Sequence, residues 1–467
     1  MTLRNLSMAL LLLATPFLAA PVVSQSQGPI AQDDCVKNYD PNTDYFPSKI
    51  EVDHATLFTV HYENNYKVVS NVAPGVNQTY VLTQCGTPPP DSSLFNTSNT
   101  VFITIPVDNA AVVTTTSIAF IEMLGERSAI KAVDTEALVS SPCVQYDLEH
   151  NKTVAIDDRN ATLRTDQLED VDVIFSGMEV EPGLENKTVI TSEVLDPGPL
   201  NRAEWLEFYA TFFNQEQYAQ NLTATINNNY NCFKDAATSQ PTKPVIAWTS
   251  YDAPADYNNN TASWTISDAE YKRILSENAG ATFYNGTTNN TFTDNAEFLE
   301  SIKDVDVIID ETMILGSSES DMQAFLNNYN LTSANKDDYK FLKNEAVFRE
   351  DGLVNPNDGR DWFSGAVVMA DAVLQDVIRA VHPNVLPASV HYNWIRNIAK
   401  DEPPQILTSA NCTSTDADKP VPDRAIQCST MNTTGHDTQS LEVNVGSLTI
   451  ASAWTAVLVV FTAAMTV

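Results

Sequence analysis

Apolar positions along the chain change period several times, and each change marks an element. Leu57-Phe58-Thr59-Val60-His61-Tyr62 and Tyr66-Lys67-Val68-Val69-Ser70-Asn71 are β-rich runs on either side of Glu63-Asn64-Asn65, which predicts a hairpin. Strands follow at Thr79–Thr83 and Val101–Pro106, and Ile118, Ile121 and Leu124 at helical spacing predict a helix over Ser117–Leu124 that Gly125 ends. Asp170-Val171-Asp172-Val173-Ile174-Phe175 returns almost unchanged as Asp304-Val305-Asp306-Val307-Ile308-Ile309-Asp310. Continuous β-branched runs of this kind suit parallel strands covered on both faces, and two copies predict two similar α/β lobes. A commonplace buried-strand sequence met twice is the other reading.

Between the copies, Trp205, Phe208, Tyr209, Phe212 and Phe213 recur every three or four residues, followed by Tyr218, Leu222 and Ile226. They predict one long helix over 201–235, started by Pro199 and Asn201, with its aromatic stripe in the core. Beyond Pro244, Val245–Thr249 predicts a strand. Ser267 caps a helix that ends near Gly280, and Phe283-Tyr284 opens the next strand. A last strong helix spans 361–381 and stops at His382-Pro383. The boundaries are then 33–198 for an N-terminal α/β lobe, 199–240 for a bridging helix, 241–399 for a C-terminal α/β lobe and 400–447 for a polar stalk.

The ends read differently. Residues 1–27 have the form of a signal peptide: Arg4, then the apolar Met8–Ala14, then small residues at Ala19-Ala20 or Val23-Ser24. Residues 448–467 are an uncharged hydrophobic tail behind a polar spacer, the pattern of a glycosylphosphatidylinositol anchor, with Asn432, Thr433, Thr434 and Gly435 as attachment candidates. A single tail-anchored span is the alternative, disfavoured because no Lys or Arg flanks it. Twelve N-x-S/T sequons follow the signal, at Asn77, Asn96, Asn151, Asn160, Asn186, Asn221, Asn259, Asn285, Asn289, Asn330, Asn411 and Asn432. Six Cys in an oxidising route imply disulfides, and Cys412–Cys428 is the expected pair because it closes a short local loop. Together these features predict a secreted glycoprotein anchored at the outer face of the plasma membrane or in the cell wall.

Charge narrows the function. Of 467 residues, 60 are acidic and 26 basic, for a formal charge of −34. That excludes a nucleic-acid binder, which needs a basic face, while 43% apolar residues provide for large packed cores. No GxSxG, HExxH or P-loop pattern occurs, and the six His are scattered, so neither a catalytic residue nor a resident metal or cofactor is expected.

Several motifs, in this order, resemble a known family. They are Tyr62-Glu63-Asn64-Asn65-Tyr66-Lys67-Val68-Val69, Tyr80–Pro88, Ile105-Pro106 leading through Thr114–Ser117 to Phe120–Gly125, Pro199–Trp205, Asp361-Trp362-Phe363 leading to Ala370–Val377, and His382-Pro383. Across roughly residues 50–398 the chain resembles periplasmic substrate-binding proteins of the siderophore and cobalamin class, as a eukaryotic cell-surface relative. The resemblance implies two Rossmann-like α/β lobes joined by a long rigid helix, with the ligand in the cleft between them. It also implies a monomer that passes its ligand to a membrane transporter or reductase.

Ligands of open α/β lobes gather at strand carboxyl ends, facing helix N-termini. Thr114, Thr115, Thr116 and Ser117 hold that place in the first lobe, as ligand contacts or as ordinary helix caps. In the second, Trp248, Ser250, Tyr251 and Trp264 are either aromatic walls for a large ligand or core. Arg349, Arg360, Asp361 and Trp362 form a further cluster, whose guanidinium groups either grip an anionic chelate or make surface salt bridges. Arg202 and Glu204 are expected to form a local ion pair that orients the bridging helix. The expected function is non-catalytic capture of a metal chelate, such as a ferric siderophore. The alternative is a structural or adhesive glycoprotein that keeps the fold without the ligand.

Overall fold

The predicted hairpin forms because its polar connection lets two alternating strands face one core. In the computed structural model, which describes residues 35–157, 159–177, 179–286, 290–313 and 321–428, β1 (Phe58–Tyr62) pairs antiparallel with β2 (Tyr66–Asn71). The sheet continues through β3 (Gln78–Gln84) and β4 (Thr100–Ile105), the last pair parallel. A second, wholly parallel sheet follows, built from β5 (Ala110–Val112), β6 (Ile130–Val133), β7 (Val154–Ala155), β8 (Val173–Ser176) and β9 (Thr188–Ile190). Its strand order is β7-β6-β5-β8-β9, so the order reverses at β5. Helices α1 (Thr115–Leu124), α2 (Pro142–Glu149) and α3 (Ala161–Glu169) make its connections. Gly125 closes α1 in the left-handed conformation at φ 81°.

The bridging segment is three helices, not one. α4 (Pro199–Ala203), α5 (Trp205–Phe213) and α6 (Glu216–Thr238) are separated at Glu204 and at Asn214, which takes φ 56°. Asparagine reaches that left-handed region at low cost, so the chain turns there although the aromatic spacing runs through it. The stripe is core as expected: Trp205, Phe208, Tyr209 and Phe212 are all fully buried. The long connector is α6, whose 23 residues span about 34 Å at about 1.5 Å per residue. Its stripe Ile226, Tyr230, Phe233 and Ala237 is buried, and α6 packs along α12 (Ala370–Val381) of the second lobe.

That lobe carries β10 (Val245–Asp252), β11 (Ser263–Ile266), α7 (Glu270–Asn278), β12 (Thr282–Phe283), β13 (Thr291–Phe292), α8 (Asn295–Ser301) and β14 (Val307–Asp310). Next come α9 (Asp321–Asn328), α10 (Lys340–Lys343), β15 (Val347–Arg349) and β16 (Leu353–Val354). α11 (Gly365–Val368), α12 (Ala370–Val381) and β17 (Arg396–Asn397) complete it. Strands β12, β10, β14 and β15 are parallel. The twin runs have become β8 and β14, each buried at every position and each parallel to its neighbours. The last predicted helix is interrupted at Ser364 and Met369. Gly280 (φ 79°) is needed where α7 ends, because a Cβ there would lie 2.3 Å from the Ala237 carbonyl at the end of α6.

Residues 400–428 are not a free stalk. β18 (Gln405–Ile406) pairs with β16, Leu407 is buried, and Arg127 donates to the Ser414 carbonyl at 3.1 Å. Val421 N–H donates to Glu122 O at 2.9 Å and Cys428 N–H to Asn229 Oδ1 at 2.7 Å. The segment thus runs from the second lobe across the first and back to α6. The Cys412–Cys428 pair expected from loop length is not made. Cys412 bonds Cys143 in α2, Cys428 bonds Cys232 in α6, and Cys35 bonds Cys85. A short separation is a weak guide once a folded segment carries each Cys to a different helix. The signal region, the anchor residues 432–435, the hydrophobic tail and the sequons at Asn289 and Asn432 lie outside the described residues. Among the described residues no helix is long and apolar enough to cross a membrane.

Candidate ligand-binding cleft

Strand order puts the candidate cleft where sheet geometry expects it. The reversal at β5 leaves a crevice outside its carboxyl end, and Thr114–Ser117 lead from there into α1. Facing them from the second lobe are α7 and the segment 361–370. Thr116, Val194, Arg202, Tyr271, Trp362 and Phe363 line a cavity of about 290 Å³ between these walls.

Contacts across the cleft are specific. Thr116 Oγ1 donates to Phe363 O at 2.7 Å, and Ser364 Oγ donates to Thr115 O at 2.9 Å. Ser140 Oγ donates to Asp361 Oδ1 at 2.7 Å, and Trp394 Nε1 to Asp361 Oδ2 at 2.9 Å. Asn355 Nδ2 reaches Ala137 O and Val139 O at 2.7 and 3.1 Å. Segment 355–364 of the second lobe therefore rests on the loops after β5 and β6. Thr114 makes no side-chain cap, and of the hydroxyls beside it that of Thr116 serves these contacts. Ser117 lies deeper, its Oγ 2.6 Å from Tyr209 OH.

Arg202 is the distinctive cation of the cleft. Its guanidinium lies 3.7 Å from the centroid of the Tyr271 ring, with Nε on Asp196 O at 2.9 Å and Nη2 on Val194 O at 2.6 Å. The expected Arg202–Glu204 pair is not formed, because Glu204 turns away and accepts the backbone N–H groups of Asp53, His54 and Ala55. Burial pulls Arg202 below the usual guanidinium range. Burial also pushes the neighbouring Glu193 carboxyl up to about 7, which lessens its charge beside Arg202, while the Asp196 carboxylate acts on Arg202 from nearby but is bonded to Thr56 and Trp205. Phe363 is 49% and Val194 40% exposed, leaving apolar surface beside the cation.

The other sequence candidates are placed elsewhere. Arg349 and Arg360 are buried and spent within the chain. Arg349 meets Asp321 at 3.2 Å and Asp351 at 3.4 Å, Arg360 meets Glu350 at 3.2 Å, and both donate to Thr312 O. Neither has a charge left for a ligand. Trp248 is fully buried behind the cleft, donating to Ser276 Oγ at 3.1 Å, with its ring 5.8 Å from Trp362. Trp264 donates to Asn328 O and stacks on Phe298 in the separate core on the sheet's other face, with Tyr251 5.4 Å away and Ser250 half-buried beside it. Of the twelve candidates, Thr116 and Trp362 line the cavity. In the sequence Arg202 reads as a helix-orienting residue and Phe363 belongs to one of the family-like motifs, while Tyr271 and Val194 carry no signal beyond their chemistry.

A larger hollow of about 450 Å³ opens at the amino ends of β10, β14 and β15, where Arg379 is paired with Glu402. It lies at the end of the sheet opposite to the one α/β lobes use for ligands. Among the described residues no group of three or more His, Cys, Asp or Glu is arranged to hold a metal ion.

No known family profile matches the chain. An uncharacterised lipoprotein of Methanocaldococcus jannaschii is 23% identical over 303 residues, covering 60% of this chain and 66% of its own length. A periplasmic binding protein from Veillonella parvula has a TM-score of 0.45 at 13% identity, over 60% of this chain and 86% of that one. A periplasmic haem-binding protein from Pseudomonas aeruginosa has a TM-score of 0.42 at 13% identity, over 62% of this chain and 97% of that one.

Proposed function

We propose that this protein is a non-catalytic, cell-surface solute-binding protein that holds a compact anionic metal chelate in the interlobe cleft. The observation that carries this reading is Arg202: in a chain of charge −34 it presents a guanidinium that makes no salt bridge among the described residues, over the Tyr271 ring and next to the open faces of Phe363 and Val194. An anion with an apolar or planar face would complete both halves of that surface. At about 290 Å³ the cleft sits at the lower edge of the roughly 300–1,000 Å³ of sites that bury a drug-sized ligand, which favours a small chelate. The surface location is supported by three disulfides, which suit an oxidising compartment, and by the exposure of all ten described sequon asparagines.

Trp362 on the cleft wall is the reporter. Tryptophan fluorescence of the purified protein is expected to be quenched saturably by ferric citrate and not by haem or cobalamin, which are too large for the cleft. No response to any of the three would reject the ligand class. A second reading has one observation in its favour: the Phe363 carbonyl and Ser364 already occupy the start of α1. A surface glycoprotein without ligand would keep that plug, and a silent titration would select it.

A further inference from the structure

α4 has two differently charged sides. Arg202 looks into the interlobe cleft, while Leu200, Ala203 and Glu204 belong to the wall of a second cavity, of about 260 Å³, closed by α5, α6 and the segment 51–54. Its ionisable lining is Glu51, Asp53, His54, Glu204 and Glu207, with no Lys or Arg. These groups are not equivalent. Glu204 is committed to three backbone N–H groups, and Glu51 and Asp53 reach solvent. Glu207 is only 3% exposed; Thr223 Oγ1 donates to its Oε1, and its Oε2 has no hydrogen-bond partner. His54 Nε2, on the same wall, is likewise buried without a partner. A buried carboxylate oxygen without a donor is costly, so Glu207 Oε2 marks a place where a donor is missing, and His54 Nε2 accepts beside it when the ring proton is on Nδ1.

We propose that this cavity is a binding site for a primary ammonium group, held by Glu207 and His54 within the field of Glu51, Asp53 and Glu204. An ammonium is favoured over a guanidinium by acceptor geometry. With Oε1 already accepting from Thr223, only Oε2 of Glu207 is left without a donor, which suits a single N–H better than the two parallel bonds of a guanidinium fork. The three diverging donors of an ammonium suit separate acceptors at Glu207 and His54, with side-chain amides of Gln220 and Asn227 nearby. Burial, reinforced by Glu204 and Asp53, holds the Glu207 carboxyl up at about 7. A proton therefore competes with the ammonium, and the affinity falls by roughly tenfold between pH 8 and pH 6.

The test is calorimetric titration of the purified protein with n-butylammonium chloride at pH 8 and constant ionic strength, beside tetramethylammonium, guanidinium and sodium chlorides. Saturable binding of butylammonium, at least tenfold tighter than tetramethylammonium and guanidinium, is expected. It should weaken tenfold or more in Glu207→Gln and fall with pH as stated. His54→Asn, at a half-buried position, is the second variant and should weaken binding several-fold. Equal binding of butylammonium and tetramethylammonium, tighter binding of guanidinium, unchanged affinity in both variants, or no saturable heat at pH 8 would each overturn the proposal.

Discussion

Replacing Cys143 and Cys412 together by Ser removes the bond that fastens residues 400–428 to the first lobe. The two long disulfides are interlocked, so the loop that matters is shorter than the 269-residue separation of Cys143 and Cys412. With Cys232–Cys428 intact, the circuit runs 89 residues from Cys143 to Cys232 and 16 back from Cys428 to Cys412, about 105 in all. Loop-closure entropy for that length gives about 4.7 kcal/mol at 25 °C. Unfolding entropy of about 2.1 cal/mol/K per residue, over the 394 positions from Cys35 to Cys428, makes each degree worth about 0.8 kcal/mol. The double variant should therefore melt roughly 6 °C lower by scanning calorimetry without reductant. Trypsin should also cut it sooner after Arg424, since Val421 is then held chiefly by its bond to Glu122. A shift below about 1 °C with unchanged proteolysis would refute the reasoning, because the segment would then be fixed by its non-covalent contacts alone.

Lys67 is wholly buried, paired with Glu216 and donating to Thr211 O and Asn214 Oδ1; Lys67→Met should cost about 3–5 kcal/mol in urea unfolding by stranding Glu216, and adding Glu216→Gln should recover part of it. Glu204→Ala leaves three backbone donors unpaired and should cost on the order of 3 kcal/mol by the same assay, with a loss under 1 kcal/mol counting against the cap. Glu122 and Glu193 are held up at about 7 and Asp376 at about 6, all by burial. The folded state thus binds more protons than the unfolded one, and its stability falls as pH rises from 5 to 8. A melting temperature that is flat or rising over that window would contradict these directions.

Elements whose signal is local were legible in the sequence. The hairpin at 58–71, the end of α1 at Gly125 and the twin buried strands β8 and β14 each follow from a run of a few residues. The helix break at Asn214 was not, because the aromatic period passes through it while a single left-handed residue redirects the chain. Arg349 and Arg360 look available for a ligand in the sequence because Asp321, which meets Arg349, and Glu350, which meets Arg360, come to them only in the fold. The reverse held for Arg202: its sequence neighbour Glu204 suggested a partner that the structure uses 150 residues away. Polar composition misled at 400–428, where buried contacts are few but two disulfides fix the path.

The central claim is that Arg202 and the aromatic wall beside it bind a compact anion. Ferric citrate titration of the native protein, Arg202→Gln and Arg202→Lys, followed by tryptophan fluorescence, tests it most directly. Saturable quenching that weakens at least tenfold in Arg202→Gln and partly returns in Arg202→Lys, with all three melting within a few degrees of one another, is the predicted result. Equal affinity in native protein and Arg202→Gln would contradict it.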